Sequence, residues 1–587
     1  MRLKPEGSLD LSPSDLTTFT ACAHASRLDI DAVVGRPVPE RGRDPDADLL
    51  AELGRRHEGA YLDHLRAQGL EVETIGALED PDEARARLLE LMRAGVDVIA
   101  QAPLRDGAWR GVADVLRRVE GASALGAFHY EVEDTKLATT TRAATVLQLL
   151  TYARMLERLQ GVPGEYVHVV APGVAPDSFA RSSLRVDDYD AVTGRATRRF
   201  EAFADSAVAG EARTVPEPVD HCAVCGWWAS CRARWRDQDH LSLVANLGGT
   251  RRAELERHGV DTRRALAERR HGIGFKPEYG RAEAYLSAAH QAEVQVRSED
   301  AAALQVDRLP LTADDGLARL PRRSGADVYV DLEGTPFFAG GGLEYLWGWS
   351  IGDGPVTHVW AFDRVSERRA FERFIDTVGE HLVRHPDAHV VHFGPYEVSA
   401  FRRLMGRHAT REEELDALLR REAFVDLLPV VRQGFRVGVE AYSLKDLERL
   451  HGFVRDEDLR TLGPLKREVE HATVLGTPEA ARDVARDAVA RYNADDVLST
   501  VALHRWLEAE REAQGVAPKQ LPDTEGEPNE TLSEARQRVQ DLVDALMAGV
   551  PEDPVEHDDD TRAKVLLAHL LDFERREAKV AFWELYA

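Results

Sequence analysis

Lysine is scarce in this 587-residue chain: only eight of its 75 basic residues are lysines, so arginine is its everyday cation. They are Lys4, Lys136, Lys276, Lys445, Lys466, Lys519, Lys564 and Lys579. A lysine beside acidic residues therefore stands out, because an ammonium is a compact charge with a tunable pKa and a guanidinium is not. Cysteine is scarcer still, with Cys22, Cys222, Cys225 and Cys231 making up the whole complement. No apolar run reaches membrane length, and the start, MRLKPEGSLDLSPSD, has no signal-peptide core, so a cytoplasmic protein without membrane contact is expected. There is no GxxxxGK phosphate loop, which excludes an NTPase of that type. Basic charge is in deficit as well. A net charge of −27 excludes a uniformly basic nucleic-acid coat, although local arginine patches can still meet phosphates.

What is present is a mixed chain, 43% hydrophobic and 30% charged, long enough for three or four α/β domains. Its most informative stretch runs from Gly111 to Tyr152. Gly111–Val119 reads as a strand carrying Asp114, a Gly/Ser/Ala turn follows, and Phe128–Asp134 alternates with period two. Lys136 lies two residues past Asp134, and Gln148 and Tyr152 are one helical turn apart. Two carboxylates and an ammonium gathered at strand ends can hold a divalent cation and stabilise a pentavalent phosphate.

The ordered set Asp114, Asp134-x-Lys136, Gln148-x3-Tyr152 resembles the PD-(D/E)XK nuclease core in its RecB-like branch. His57, on a helix expected over Leu49–Gln68, is similar to that branch's metal-side histidine. Upstream, Ser12-Pro13-Ser14-Asp15 signals the start of a helix that carries Cys22 through LTTFTACAHASRLDI, and residues 1–100 read as mostly helical. A strand over Glu165–Ala171 and a helix near Asp188–Ala209 lead into Cys222-x2-Cys225-x5-Cys231. Four thiolates suit zinc or an iron–sulfur cluster. One cysteine before and three after the core resembles the [4Fe-4S] clasp of AddB-type and CRISPR-associated RecB-like nucleases, with zinc as the alternative.

His240–Arg270 reads as helix, Gly turn, helix, and resembles a degenerate helix-hairpin-helix unit able to take a backbone phosphate. From Cys231 to Arg270 ten arginines face six acids. Residues 271–325 carry little readable pattern.

A second acidic pattern opens at ADVYVDLEGTPFF, where a strand ends in Asp331 and Glu333 on one face. Downstream come Tyr396-Glu397 at a strand-to-helix junction, Asp426 at a strand end, and a helix with Tyr492 and Asp496 four apart. This set resembles the DEDD-type 3′–5′ exonucleases of the ribonuclease H-like fold. The resemblance implies that Asp331, Glu333, Glu397 and Asp496 hold Mg²⁺ or Mn²⁺ and that Tyr492 orients the attacking water. One departure stands out: the usual second motif is Asn-x3-Phe-Asp, and here it is His392-x3-Tyr396-Glu397. Asp426 is either a fifth carboxylate or a plain strand-end residue.

The expected organisation is a PD-(D/E)XK restriction-endonuclease-like domain with its clasp over 1–239 and a helical connector over 240–325. A ribonuclease H-like domain over 326–512 and an acidic linker with a C-terminal helix over 513–587 complete it. Relatives of this kind often continue into a superfamily 1 helicase, and the helix expected over Thr561–Lys579, followed by VAFWELYA, reads either as a chain cut before a further domain or as a helix that docks on a partner. The implied function is a metal-dependent nuclease with two active sites, acting on nucleic acid, with DNA favoured over RNA. The alternatives are a nucleic-acid-binding or partner-docking module with inactive cores, and a nucleotide phosphohydrolase.

Overall fold

The chain folds, in a computed structural model, as two compact units, Met1–Gln238 and Asp239–Ala587. The structure describes residues 1–76, 80–173, 178–456, 459–520, 530–574 and 576–578.

In the first unit, helices α1 (Pro13–Ala21), α2 (Ala23–Val33) and α3 (Ala47–Ala67) precede strand β1 (Val72–Thr74) and helix α4 (Pro81–Ala94). Then come β2 (Val98–Asp106), β3 (Trp109–Ser123), β4 (Gly126–Thr135), α5 (Ala143–Gln160), β5 (Tyr166–Pro172), β6 (Phe179–Arg185), α6 (Val186–Val208) and α7 (Trp228–Asp237). The strands form one sheet in the order β1-β2-β3-β4-β5-β6. The β2–β3–β4 meander is antiparallel, whereas β5 lies parallel to β4 because α5 carries the chain back across the sheet. Leu149, Leu150, Leu156, Leu116 and Tyr130 seal α5 against that sheet in a core shared with Leu16, Ile30 and Phe200.

The helix start at Ser12 forms as its sequence dictates: Ser12 Oγ accepts from Asp15 N at 3.2 Å, and Asp15 accepts from Ser12 N at 2.8 Å. The helix expected to run through Cys22 does not. It breaks there because Cys22 is extended (φ −158°) and its sulfur accepts the Ala25 N–H, capping α2. The first hundred residues are mostly helical, as expected, with β1 and the start of β2 set among the helices. β1 has only three residues, too few to show a period.

The second unit opens with α8 (Gly249–Arg257), α9 (Arg263–Ala267) and α10 (Ala282–Asp300). Within His240–Arg270 the segment Leu241–Leu243 makes only a 3-10 turn, so the hairpin is α8, the Gly259 turn (φ +72°) and α9. α10 arises from the stretch with no readable pattern, its buried face built mainly from alanines and glutamines, with Tyr285, Val294 and Ser298.

Its main sheet consists of β7 (Val328–Thr335), β8 (Leu343–Ile351), β9 (Thr357–Trp360), β10 (Val390–His392) and β11 (Phe424–Asp426). Their order is β9-β8-β7-β10-β11, antiparallel through β9, β8 and β7, then parallel through β10 and β11. The helices are α11 (Arg364–Arg384), α12 (Tyr396–His408), α13 (Glu412–Arg420), α14 (Leu427–Gly434), α15 (Leu444–His451), α16 (Leu459–Val474), α17 (Asp483–Ala513), α18 (Glu530–Met547) and α19 (Asp559–Leu570). β8 is buried on both faces, with Trp347 wedged among Phe371, Phe374 and Phe401 at 5.9–6.3 Å between ring centroids. α19 is shorter than expected. It ends at Leu570, and Asp572 takes a left-handed turn (φ +57°); residues 579–587 lie outside those described. Among the described residues no helix is long and apolar enough to cross a membrane.

Candidate active sites

In the first unit the register Val115↔Glu133 sets Asp114 opposite Asp134 one step further along β3 and β4. Asp114 Oδ2 accepts from the backbone N–H of Thr135 at 3.0 Å and its hydroxyl at 3.1 Å. Across β2, Gln101 has φ +55° and drops out of the ladder opposite Asp114, which frees that stretch of strand edge. Lys136 Nζ lies 2.5 Å from Asp134 Oδ2. Burial and then the Asp114 charge push the Asp134 carboxyl up to about 7, and Lys136 offsets only part of that.

Tyr152 is buried on α5 with its ring against Gly111, where a Cβ would meet Tyr152 Cε1 at 2.7 Å. Burial lifts its hydroxyl to about 12, and a hydrogen bond with Gln148 opposes the shift. Asp114, Asp134, Lys136, Gln148 and Tyr152 are thus brought together. His57 stands near by, but its Nε2 meets the Val170 carbonyl at 3.1 Å, the same carbonyl that accepts from Lys136 N. Sequence reading missed its neighbour Glu58, whose carboxyl burial raises, with Asp114 adding to the shift and Gln101 Nε2 donating to it.

The cysteines of this unit are all reduced and half-buried. Burial raises the Cys231 thiol to about 11, and the Cys225, Cys22 and Cys222 sulfurs add to it. Backbone N–H groups of Ala25 and Val219 point at Cys22 and Cys222, each at 3.4 Å.

In the second unit Asp331 and Glu333 project from one face of β7, and Asp496 meets them from α17. Among the described residues this is the one group of three or more acidic, histidine or cysteine side chains whose ligand atoms all lie within 4.8 Å of one another. Burial, then Asp496, Glu333 and Glu397 in turn, hold Asp331 well above the usual carboxylate range. Burial takes Glu333 to about 7 despite the Lys466 ammonium 2.5 Å away.

Glu397, in the first turn of α12, is buried. Its Oε2 accepts no hydrogen bond and lies 3.5 Å from His392 Nδ1. α12 is held by Tyr396, whose hydroxyl donates to Glu344 on β8 at 2.8 Å. Asp426 is a strand-end organiser: its Oδ1 accepts from Gly394 N at 2.8 Å and Leu428 N at 2.9 Å.

Five participants escaped the sequence reading, Lys466 among them. Asn493 donates to Asp331 Oδ2 at 2.7 Å. Gly348, paired with Asp331, admits that side chain, for a Cβ there would meet Asn493 Oδ1 at 1.7 Å. Lys445 donates to the Tyr492 hydroxyl, and Arg455 Nη2 lies 2.5 Å from Asp496. The scarcity of lysine was a usable signal for Lys445 and Lys466, but no local motif surrounds either.

Three clustered carboxylates, two of them buried and Asp331 partly so, with a buried fourth, Glu397, whose Oε2 accepts no hydrogen bond, are a donor set suited to a hard divalent cation. No curated protein matches the chain. A family model of the RNase H superfamily matches residues 328–508. Residues 328–508 therefore form a ribonuclease H-like domain, of a superfamily that typically cleaves nucleic acid with divalent metal.

Proposed function

We propose that the chain is a metal-dependent nuclease in which the second unit is a DEDD-type 3′–5′ exonuclease and the first a RecB-like PD-(D/E)XK nuclease. The observation that carries the reading is the carboxylate trio Asp331, Glu333 and Asp496 inside a ribonuclease H-like domain. These three would hold Mg²⁺ or Mn²⁺ with Glu397. The bound cation would supply Lewis acidity at the scissile phosphate and lower the pKa of an attacking water. Asn493 fixes Asp331, Arg455 fixes Asp496, and Tyr492 stands one helical turn from Asp496, where its hydroxyl can orient that water.

In the first unit Asp114 and Asp134 would take the same kind of cation, and Lys136 would stabilise charge on the phosphate. The strand–strand–strand–helix–strand run from β2 to β5 and the convergence of Asp114, Asp134, Lys136, Gln148 and Tyr152 support that reading. His57 would have to offer Nδ1 or release the Val170 carbonyl.

The four thiols would hold an iron–sulfur cluster, with zinc as the alternative. Four sulfurs around one zinc ion stand about 3.8 Å apart, since Zn–S bonds are about 2.3 Å. These four affect one another's charge, yet no three share a 4.8 Å group among the described residues. The substrate is nucleic acid, DNA before RNA, and a helicase or other protein partner would dock on the C-terminal helices.

Labelled single- and double-stranded DNA and RNA, incubated with Mg²⁺ or Mn²⁺, test the reading. Metal-dependent shortening of the oligonucleotides is expected. Hydrolysis of free nucleotides alone would favour a phosphohydrolase, and retention without cleavage a binding module.

A further inference from the structure

Two cations sit on the carboxylates of the second unit, and they are held in different ways. Arg455 bridges Glu448 and Asp496, each at 2.5 Å, and its side chain is only 7% exposed. Lys466 contacts Glu333 at 2.5 Å and Glu470 only at 3.9 Å, and its side chain is 29% exposed. Both lie over the Tyr492 ring, at 5.5 and 5.7 Å from its centroid, with Lys445 at 4.7 Å. Arg455 is therefore a fixed strut, because moving it would strand two carboxylates. Among the described residues Lys466 has one close partner, and it has a flexible stem and access to solvent. In a chain that spends lysine so rarely, the movable cation here is a lysine.

We propose that Lys466 is a displaceable counter-ion: its ammonium competes with a divalent cation for Glu333, and a nucleic-acid phosphate draws it away. This rests on the metal-dependent reading of the trio and adds to it that metal and nucleic acid load together. A like charge beside a metal ligand weakens metal binding, and its transfer to a phosphate removes that penalty. Lys466 is thus a positioning residue. It sets the charge at Glu333 without itself holding the metal.

The test is Mn²⁺ binding to the full chain by titration calorimetry, in an Asp134→Asn background so that the first unit does not contribute. It is run with and without a cleavage-resistant phosphorothioate oligonucleotide. Lys466→Met should bind Mn²⁺ about tenfold more tightly than the parent without oligonucleotide, and the oligonucleotide should tighten it further by much less than in the parent. The metal-free variant should melt lower, because Glu333 loses its counter-charge. Lys466→Arg, which keeps the charge, should stay near the parent in Mn²⁺ affinity; Lys466→Gln serves in place of Lys466→Met if that variant fails to fold. Mn²⁺ affinity equal to or weaker than the parent's in the neutral variant would overturn the competition. An oligonucleotide effect of undiminished size would overturn the displacement. No Mn²⁺ binding by the parent under either condition would instead overturn the nuclease reading on which the inference rests.

Discussion

The two acidic sites solve one electrostatic problem with counter-charges drawn from different distances along the chain. In the first unit Asp134 is balanced by Lys136, two residues on and part of the same motif. In the second, Glu333 and Asp496 are balanced by Lys466 and Arg455, which come from 133 residues downstream and 41 residues upstream respectively. Each site still leaves one carboxyl near pH 7, because burial outweighs a single neighbouring cation. A local counter-charge is bound to its motif and moves with the strand. A remote one can be shifted independently of the acids it serves, which is what makes Lys466 able to regulate them.

The proposed cysteine site belongs to the first unit alone, so cysteine substitution separates the two most strongly. Cys22→Ser and Cys225→Ser should each lower the melting temperature of the first unit by about 10 °C or more, equally, since each would remove one ligand of the proposed shared site. Anaerobically purified protein should be brown, with about four irons per chain. Metal-dependent stabilisation of the second unit should survive in both variants. Unequal losses, or stoichiometric zinc in place of iron, would break this part of the contrast.

The shared feature, a carboxyl raised to about 7, makes a prediction in which the sites should agree. Glu333 and Asp134 ordinarily titrate near 4.5 and 3.8. Between those values and about 7 the folded chain holds protons that the unfolded chain has released. Metal-free stability should therefore fall as pH rises through that window. Metal requires the charged carboxylates, so the Mn²⁺-dependent gain in melting temperature should grow over the same range. Glu333→Gln and Asp134→Asn should each flatten the metal-free slope. A slope unchanged in both would show that neither carboxyl is raised.

A smaller effect belongs to the second site alone. Gly348→Ala would press a methyl group into Asn493, which must withdraw from Asp331. We expect about 1–3 kcal/mol of destabilisation by denaturant unfolding, together with weaker Mn²⁺ binding. An unaltered Mn²⁺ affinity would show that Asn493 does not position Asp331.

These remote contacts also mark where the sequence stops being readable. Asp114, Asp134, Lys136, Gln148 and Tyr152 were legible as a set because strand and helix periods place them within 40 residues. Asp331, Glu333 and Asp496 were legible because an i, i+2 pair on a strand and a tyrosine one helical turn before an acid are local patterns. Gly348, Asn493, Lys445 and Lys466 matter through pairings set by the β7–β8 register and by how α15, α16 and α17 pack, which no local period encodes. β8 was missed for a related reason. Burial on both faces removes the alternation that marks a strand. Cys22 looked like a helical residue because its flanks are helical on both sides, and its extended backbone and its sulfur's bond to the Ala25 N–H show the break.

The central claim is that the ribonuclease H-like domain cuts nucleic acid through its carboxylate trio. Its most direct test is Mn²⁺-dependent trimming of a 5′-labelled single strand by Lys136→Ala protein, compared with Lys136→Ala carrying Asp331→Asn and Asp496→Asn. The account predicts a ladder of 3′-shortened products from the first, reduced on the order of a hundredfold or more in the second. The same ladder at the same rate from both would contradict it.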